Sequence, residues 1–150
     1  MTHKVLHPNN LERVNVELAV AATHDSTIAA LNYFAQNEDH EHFADTAKFL
    51  RLIKDWFNAV NVKGINCHIR TRDQTRKPVI KDDREILHVI ESFGNRMEIW
   101  LNQEGKQKIS KDTLQAAMYT CRGLIGLANF LLDHHGDKLD YVLLGKIQSD

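Results

Sequence analysis

The strongest constraint on this chain is that its apolar residues keep a helical period through four separate stretches. Leu11, Val14, Leu18, Ala21, Ile28, Leu31 and Ala35 recur at steps of three, four and seven and trace one face of a long helix. Asn10 stands where a cap would serve that helix, and His24-Asp25-Ser26 interrupts its middle, a place for a break. Phe43, Ala47, Leu50, Ile53, Phe57 and Val60 form a second stripe, with Phe49, Leu52 and Trp56 beside it. Ile86, Ile90, Phe93, Met97 and Trp100 make a third, behind Asp82-Asp83-Arg84-Glu85, which reads as a capping box with Asp82 accepting and Glu85 reaching back. Ser110 is a good N-cap for the fourth, which carries Leu114, Met118, Cys121, Leu124, Ile125, Ala128 and Leu131. From Gly123 onward nearly every face of that helix is apolar, so it should be central, with Gly123 and Gly126 permitting close packing. The expected fold class is therefore all-α, with four main helices near 11–36, 40–61, 82–103 and 111–134 packed around the Leu124–Leu131 segment.

Composition agrees. Seven Gly and two Pro in 150 residues are too few for a turn-rich β-sandwich. Cys67 and Cys121 stand 54 positions apart without a motif, so reduced thiols are expected. The opening residues lack an apolar signal core, and the Gly123–Leu132 stretch is too short to span a bilayer; secretion and membrane insertion are not expected.

Residues 62–80 carry no helical period. Gly64 and Pro78 punctuate them, Ile65, Cys67 and Ile69 alternate as in a short strand, and the rest should be loop. Net charge is −1 overall, but from Lys63 to Lys81 the bases Lys63, Arg70, Arg72, Arg76, Lys77 and Lys81 against Asp73 give +5. Six acids and no Lys or Arg occupy Val14 to Ala47. The basic loop could hold phosphates by side chain alone; no G-x-x-x-x-G-K-[ST] sequence is present, so a P-loop mechanism is absent. Asp137-Lys138-Leu139-Asp140 only superficially matches the guanine-reading N-K-x-D, since Asp replaces the first Asn. The loop lacks interleaved aromatics, so it suits contact with a nucleic-acid backbone rather than stacking on bases. The histidine pairs at 40/42 and 134/135 are wrongly spaced to share a helix face, which argues against a metal centre. No dedicated base accompanies either cysteine.

Three segments together resemble the P-element and THAP-domain transposases. Arg13-Val-Asn-Val-Glu-Leu-Ala-Val-Ala-Ala-Thr-His-Asp-Ser-Thr-Ile-Ala-Ala-Leu is similar to the helix that follows the first half of their ribonuclease-H-like domain. Phe49-Leu-Arg-Leu-Ile-Lys-Asp-Trp-Phe-Asn-Ala-Val-Asn-Val-Lys63 looks like their phenylalanine-rich helix ending in Asn-Val-Arg. Leu124-Ile-Gly-Leu followed by Tyr141-Val-Leu-Leu-Gly-Lys-Ile-Gln-Ser-Asp150 resembles the run into their Asp-x-Leu-Glu motif. The resemblance implies a helical insertion domain over 1–136, with 137–150 beginning the returning ribonuclease-H-like segment. It implies a domain that binds GTP with Mg²⁺ as a cofactor for assembly with DNA, in the nucleus, without being catalytic itself. Two metal-holding carboxylates of the parent DNA transposase would lie upstream of Met1 and the third just beyond Asp150. The implied nucleotide contacts are Asn61 and Lys63 at the Asn-Val-Arg position, Lys77 before Pro78, and Asp150 as a ligand of the nucleotide-bound Mg²⁺. Lys63 replaces the Arg of the pattern and loses its bidentate fork. The alternative is a domesticated, transposase-derived interaction domain that binds protein or DNA without nucleotide, or associates with itself.

Overall fold

A computed structural model of the chain describes residues 16–103 and 109–147. Asn10, the first turn of the opening helix and Asp150 lie outside the described residues. The described chain is all-α apart from one two-stranded ribbon. It contains α1 (Val16–Ala22), α2 (Asp25–Phe34), α3 (His42–Val60), α4 (Cys67–Thr71), β1 (Val79–Ile80), α5 (Ile86–Asn102), α6 (Lys111–His134), β2 (Tyr141–Val142) and α7 (Leu144–Ile147). The chain divides into two compact units, residues 1–54 and 55–150, and α3 runs through the boundary.

In the first unit the expected break falls at Thr23-His24. Thr23 turns its hydroxyl back to the Val20 carbonyl at 3.0 Å, and His24 leaves the helix with ψ 149°. The His24 Nδ1 then accepts from the Ser26 amide at 3.3 Å and caps α2. Among the described residues, Ile28 and Ala47 are the buried apolar side chains there. Asp25, in the first turn of α2, is gripped by Lys54 and by Arg51 at 2.7 Å, both from α3. These cations hold the Asp25 carboxyl below the usual range, Lys54 foremost, against a smaller opposing effect of burial.

The second unit is built on the α5–α6 pair. Ile86, Leu87, Ile90, Phe93 and Met97 of α5 are buried, as are Leu114, Met118, Cys121, Leu124, Ala128 and Leu132 of α6. Each such aliphatic or aromatic side chain withdrawn from water contributes about 1.5–3 kcal/mol. From α3, Trp56 stacks on Phe93 with centroids 4.6 Å apart, and Ala59 and Val60 are buried. The helices come close at Gly94, where an added Cβ would meet the Cys121 Cβ at 3.1 Å. Gly123 and Gly126, expected to serve close packing, instead face open space with nothing within 4 Å of a notional Cβ.

Two local expectations are corrected. Ile65, Cys67 and Ile69 do not form a strand: Cys67–Thr71 is a helical turn, closed by the Thr71 hydroxyl on the Cys67 carbonyl at 2.8 Å. Arg72 ends the turn in the left-handed region at φ 53°, which lets its amide reach the His68 and Ile69 carbonyls. The real strand is the next apolar pair, Val79-Ile80. At α5 the capping acceptor is Asp83, not Asp82: Asp83 Oδ1 takes the Glu85 amide at 3.3 Å, and Glu85 does not reach back. Asp83 is already fixed there by a bridge of its backbone to Ile80, which delays the helix to Ile86.

The tail closes this unit. β2 pairs antiparallel with β1, Val79 opposite Val142 and Ile80 opposite Tyr141. Leu144 is buried, and the Gly145 amide donates to the Val62 carbonyl at 3.0 Å. A Cβ on Gly145 would stand 2.7 Å from the Asn61 carbonyl carbon, so glycine is required by the close approach itself.

Candidate functional site: the basic loop

The basic segment after α3 is fastened by one buried amide. Asn58 lies on the otherwise apolar Trp56–Val60 stretch and is 5% exposed. Its Nδ2 donates to Asp73 Oδ2 at 2.9 Å and to the Thr75 hydroxyl at 3.2 Å, and its Oδ1 accepts from the Arg76 guanidinium at 2.9 Å. Asp73 in turn caps the 3₁₀ turn Gln74–Arg76, accepting the Thr75 amide at 3.0 Å and its hydroxyl at 2.6 Å. One side-chain amide here donates to the carboxylate and accepts from the guanidinium at the same time. Asn58 therefore sets the course of residues 73–76.

The six bases of the segment divide into two groups. Arg76 is held by Asn58, Lys77 donates to Asp83 Oδ2 at 3.0 Å, and Lys81 donates to the Gly136 carbonyl at 3.1 Å. Lys77 keeps the Asp83 carboxyl below the usual carboxylate range, helped by the Glu85 amide. Lys63, Arg70 and Arg72 are exposed, and among the described residues no ion pair engages them. They are the bases open to an anion.

The residues expected to hold a nucleotide are thus differently placed. Asn61 turns its Nδ2 back onto the Phe57 carbonyl at 2.8 Å, closing the end of α3. Lys63 follows the same helix end, where the macrodipole is negative and favours the cation itself over a bound anion. Lys77 is occupied by Asp83. No hydrogen bond or ion pair joins Asn61, Lys63 and Lys77 to one another among the described residues. Reading by sequence missed two features: Asn58, whose signal was a lone amide inside an apolar stripe, and the Arg84 brace. Arg84 donates to Asn129 Oδ1 at 2.8 Å and Asp133 Oδ1 at 2.6 Å, tying the start of α5 to the end of α6. Arg84 holds the Asp133 carboxyl low.

Away from the loop, two grooves lie along the α5–α6 seam. One of about 280 Å³ is bounded by Gly94, Asn95, Cys121 and Gly126, and one of about 470 Å³ by Arg84, Leu87, His88 and Asn129; Glu91 and Ile125 belong to both. Burial pushes the Cys121 thiol up, so it is not a ready nucleophile. The buried Trp56 indole N–H makes no hydrogen bond of ordinary geometry, with the weakly accepting Cys121 sulfur beside it. Among the described residues no three His, Cys, Asp or Glu side chains converge on a common point, and no helix is long and apolar enough to cross a membrane.

The chain matches no protein-family model, no curated protein and no solved structure.

Proposed function

We propose that the chain is a non-catalytic, phosphate-binding helical module of the P-element/THAP-transposase kind, with a guanine nucleotide as its ligand. The observation that carries the reading is the sorting of bases on the loop. Asn58, Asp83 and the Gly136 carbonyl consume Arg76, Lys77 and Lys81 and so fix the segment, which leaves Lys63, Arg70 and Arg72 directed to solvent on an ordered support. Guanidinium forks of this sort grip phosphate oxygens in pairs. Three such cations would offset the charge of a triphosphate chain; GTP with Mg²⁺ would supply charge and assembly with DNA, not hydrolysis. The parent transposase would act on DNA in the nucleus, with its catalytic carboxylates outside this chain and Asp150 as the metal ligand.

A second reading, a transposase-derived interaction domain that contacts DNA or protein without nucleotide, is favoured by the engagement of Lys77 with Asp83 and by grooves that are lined by α5 and α6 rather than by the loop. Calorimetric titration of GTP–Mg²⁺ into the folded chain separates the two. The nucleotide reading expects saturable heat that Arg70→Ala and Arg72→Ala each weaken by about 1.5–3 kcal/mol, as for hydrogen bonds to charged groups, and that Lys77→Ala weakens less. No heat at millimolar nucleotide, with salt-dependent binding of duplex DNA, gives the second reading.

A further inference from the structure

Arg70 and Arg72 stand five and three residues before Thr75, and no other serine or threonine of the chain has arginine at both places. Both arginines are exposed. Protein kinases select substrates by charge pattern, and those with acidic substrate clefts take arginines at these two offsets. Arg76 and Lys77 follow the threonine, which disfavours kinases that read acids on that side. Thr75 also holds a place in the loop's fastening. Its hydroxyl donates to Asp73 Oδ1 at 2.6 Å and accepts from Asn58 Nδ2 at 3.2 Å.

We propose that Thr75 is a phosphorylation site for a basophilic protein kinase, and that its modification releases residues 73–76 from Asn58. The co-substrate is ATP. The Thr75 hydroxyl gives its proton to the base of the kinase and Oγ1 bonds to the γ-phosphorus. The bond from that phosphorus to the bridging oxygen of the β-phosphate breaks, and ADP leaves. Kinase clefts hold their substrates extended, so residues 70–75 must unwind first. Neither α4 nor the 3₁₀ turn at Gln74–Arg76 contains a buried residue. Unwinding them breaks hydrogen bonds without taking an apolar side chain from the core, and segments of that kind open at small cost.

Once modified, the threonine works against the arrangement it served. A phosphothreonine carries a charge of about −1.5 to −2 at pH 7. It has no proton to give Asp73, whose carboxylate then faces a like charge in place of a 2.6 Å hydrogen bond. Arg76 is the next residue, and its guanidinium already reaches Asn58 Oδ1 at 2.9 Å. The phosphate offers that guanidinium a stronger, paired acceptor. Asn58, 5% exposed, stands to lose Asp73, Thr75 and Arg76 together. Keeping the segment in place over an unsatisfied buried amide is costly, so the segment lifts away. The charge from Lys63 to Lys81 falls at the same time from +5 to about +3. Phosphorylation thus removes both the support of the loop and part of its attraction for any anion.

The test treats the folded 150-residue chain with ATP–Mg²⁺ and the catalytic domain of a basophilic serine/threonine kinase, and locates phosphate by fragmentation mass spectrometry. Phosphate on Thr75 is expected. Arg72→Ala should slow its entry by about tenfold or more, and Thr75→Val, which keeps the size of the side chain, should abolish it. The position is read in the unmutated chain, so a folding defect in either variant does not obscure it. The Thr75, Arg76 and Lys77 amides are bonded to Asp73 Oδ1, the Asp73 carbonyl and the Gln74 carbonyl. Their hydrogen exchange should quicken by about tenfold or more on modification, while amides within α6 keep their rates. Absence of phosphate from Thr75, or entry as fast in Arg72→Ala as in the parent, overturns the site. Phosphate on Thr75 with exchange unchanged overturns the release from Asn58. None of these readings involves a nucleotide titration, so each stands whether or not the loop binds GTP.

Discussion

Asn58→Ala is the most informative single change to the loop. The substitution removes two hydrogen bonds to charged partners, Asp73 at 2.9 Å and Arg76 at 2.9 Å, and a third to the Thr75 hydroxyl at 3.2 Å. Bonds to charged groups contribute about 1.5–3 kcal/mol each. Asp73 and Arg76 have side chains 26% and 38% exposed, so water recovers part of what each loses. The small void left at a 5% exposed site adds a little back. The net cost should fall at about 2–4 kcal/mol, which for a chain of this length lowers the melting temperature by roughly 4–16 °C. Asn58→Asp should be no better, because it keeps the acceptor for Arg76 but sets a second carboxylate against Asp73. Scanning calorimetry gives the global effect; limited trypsin digestion gives the local one, since cleavage after Arg70 and Arg72 should accelerate when the support of the loop is lost. A loss under about 0.5 kcal/mol, the range of an ordinary surface change, with digestion unaltered, would refute the claim that this amide organises the segment.

Other consequences are as direct. Gly145→Ala should cost about 1–3 kcal/mol by overpacking against the Asn61–Val62 backbone; a urea midpoint equal to that of the parent would contradict the tight approach. Gly126→Ala, in open space on an exposed helix face, should instead stabilise by up to about 1 kcal/mol, checked by thermal melts at low micromolar protein. Asp133 and Asp25 have carboxyls held below their usual values by Arg84 and Lys54 respectively. A depressed folded-state value gives stability that is present above the unfolded value of about 3.9 and lost as pH falls through the folded one. The urea midpoint should therefore hold from pH 7 to about 5 and fall below about 4, less steeply in Asp133→Asn; a midpoint that rises on acidification would contradict the assignment.

How much could be read in advance differs by residue, for physical reasons. The 111–134 expectation meets α6 at both ends, since Ser110 accepts the Thr113 amide at 3.2 Å as an N-cap should and the apolar period is long. The Ile86 to Trp100 stripe lies within α5, yet its start was misread, because Asp82 and Asp83 are equally good caps on paper and a tertiary bridge to Ile80 chooses between them. Ile65, Cys67 and Ile69 alternate as a strand would, but a lone five-residue turn follows hydrogen bonds made by Thr71 and Arg72 rather than periodicity. The basic charge of the loop was plain in composition. Which of its bases are spent internally was not, because Asn58, Asp83 and Gly136 reach Arg76, Lys77 and Lys81 from 18, 6 and 55 positions away.

The β1–β2 ribbon also sets a schedule. Val79 waits for a partner 63 positions further along the chain, and Val62 waits longer for Gly145. At a synthesis rate of about 5–20 residues per second, the interval between Val79 and Val142 is roughly 3–13 s. Helices α5 and α6 make their mutual contacts from within that stretch and can pair while it is being made, whereas the segment from Val62 to Ile80 stays without its last neighbours until the tail is translated. Newly made chains will therefore pass through a stage with the central hairpin formed and the strand edge of Val79-Ile80 unpaired. Arrested at that stage, they should offer this edge to any other strand within reach, so β2 protects the nascent protein from mispairing as well as completing the mature one.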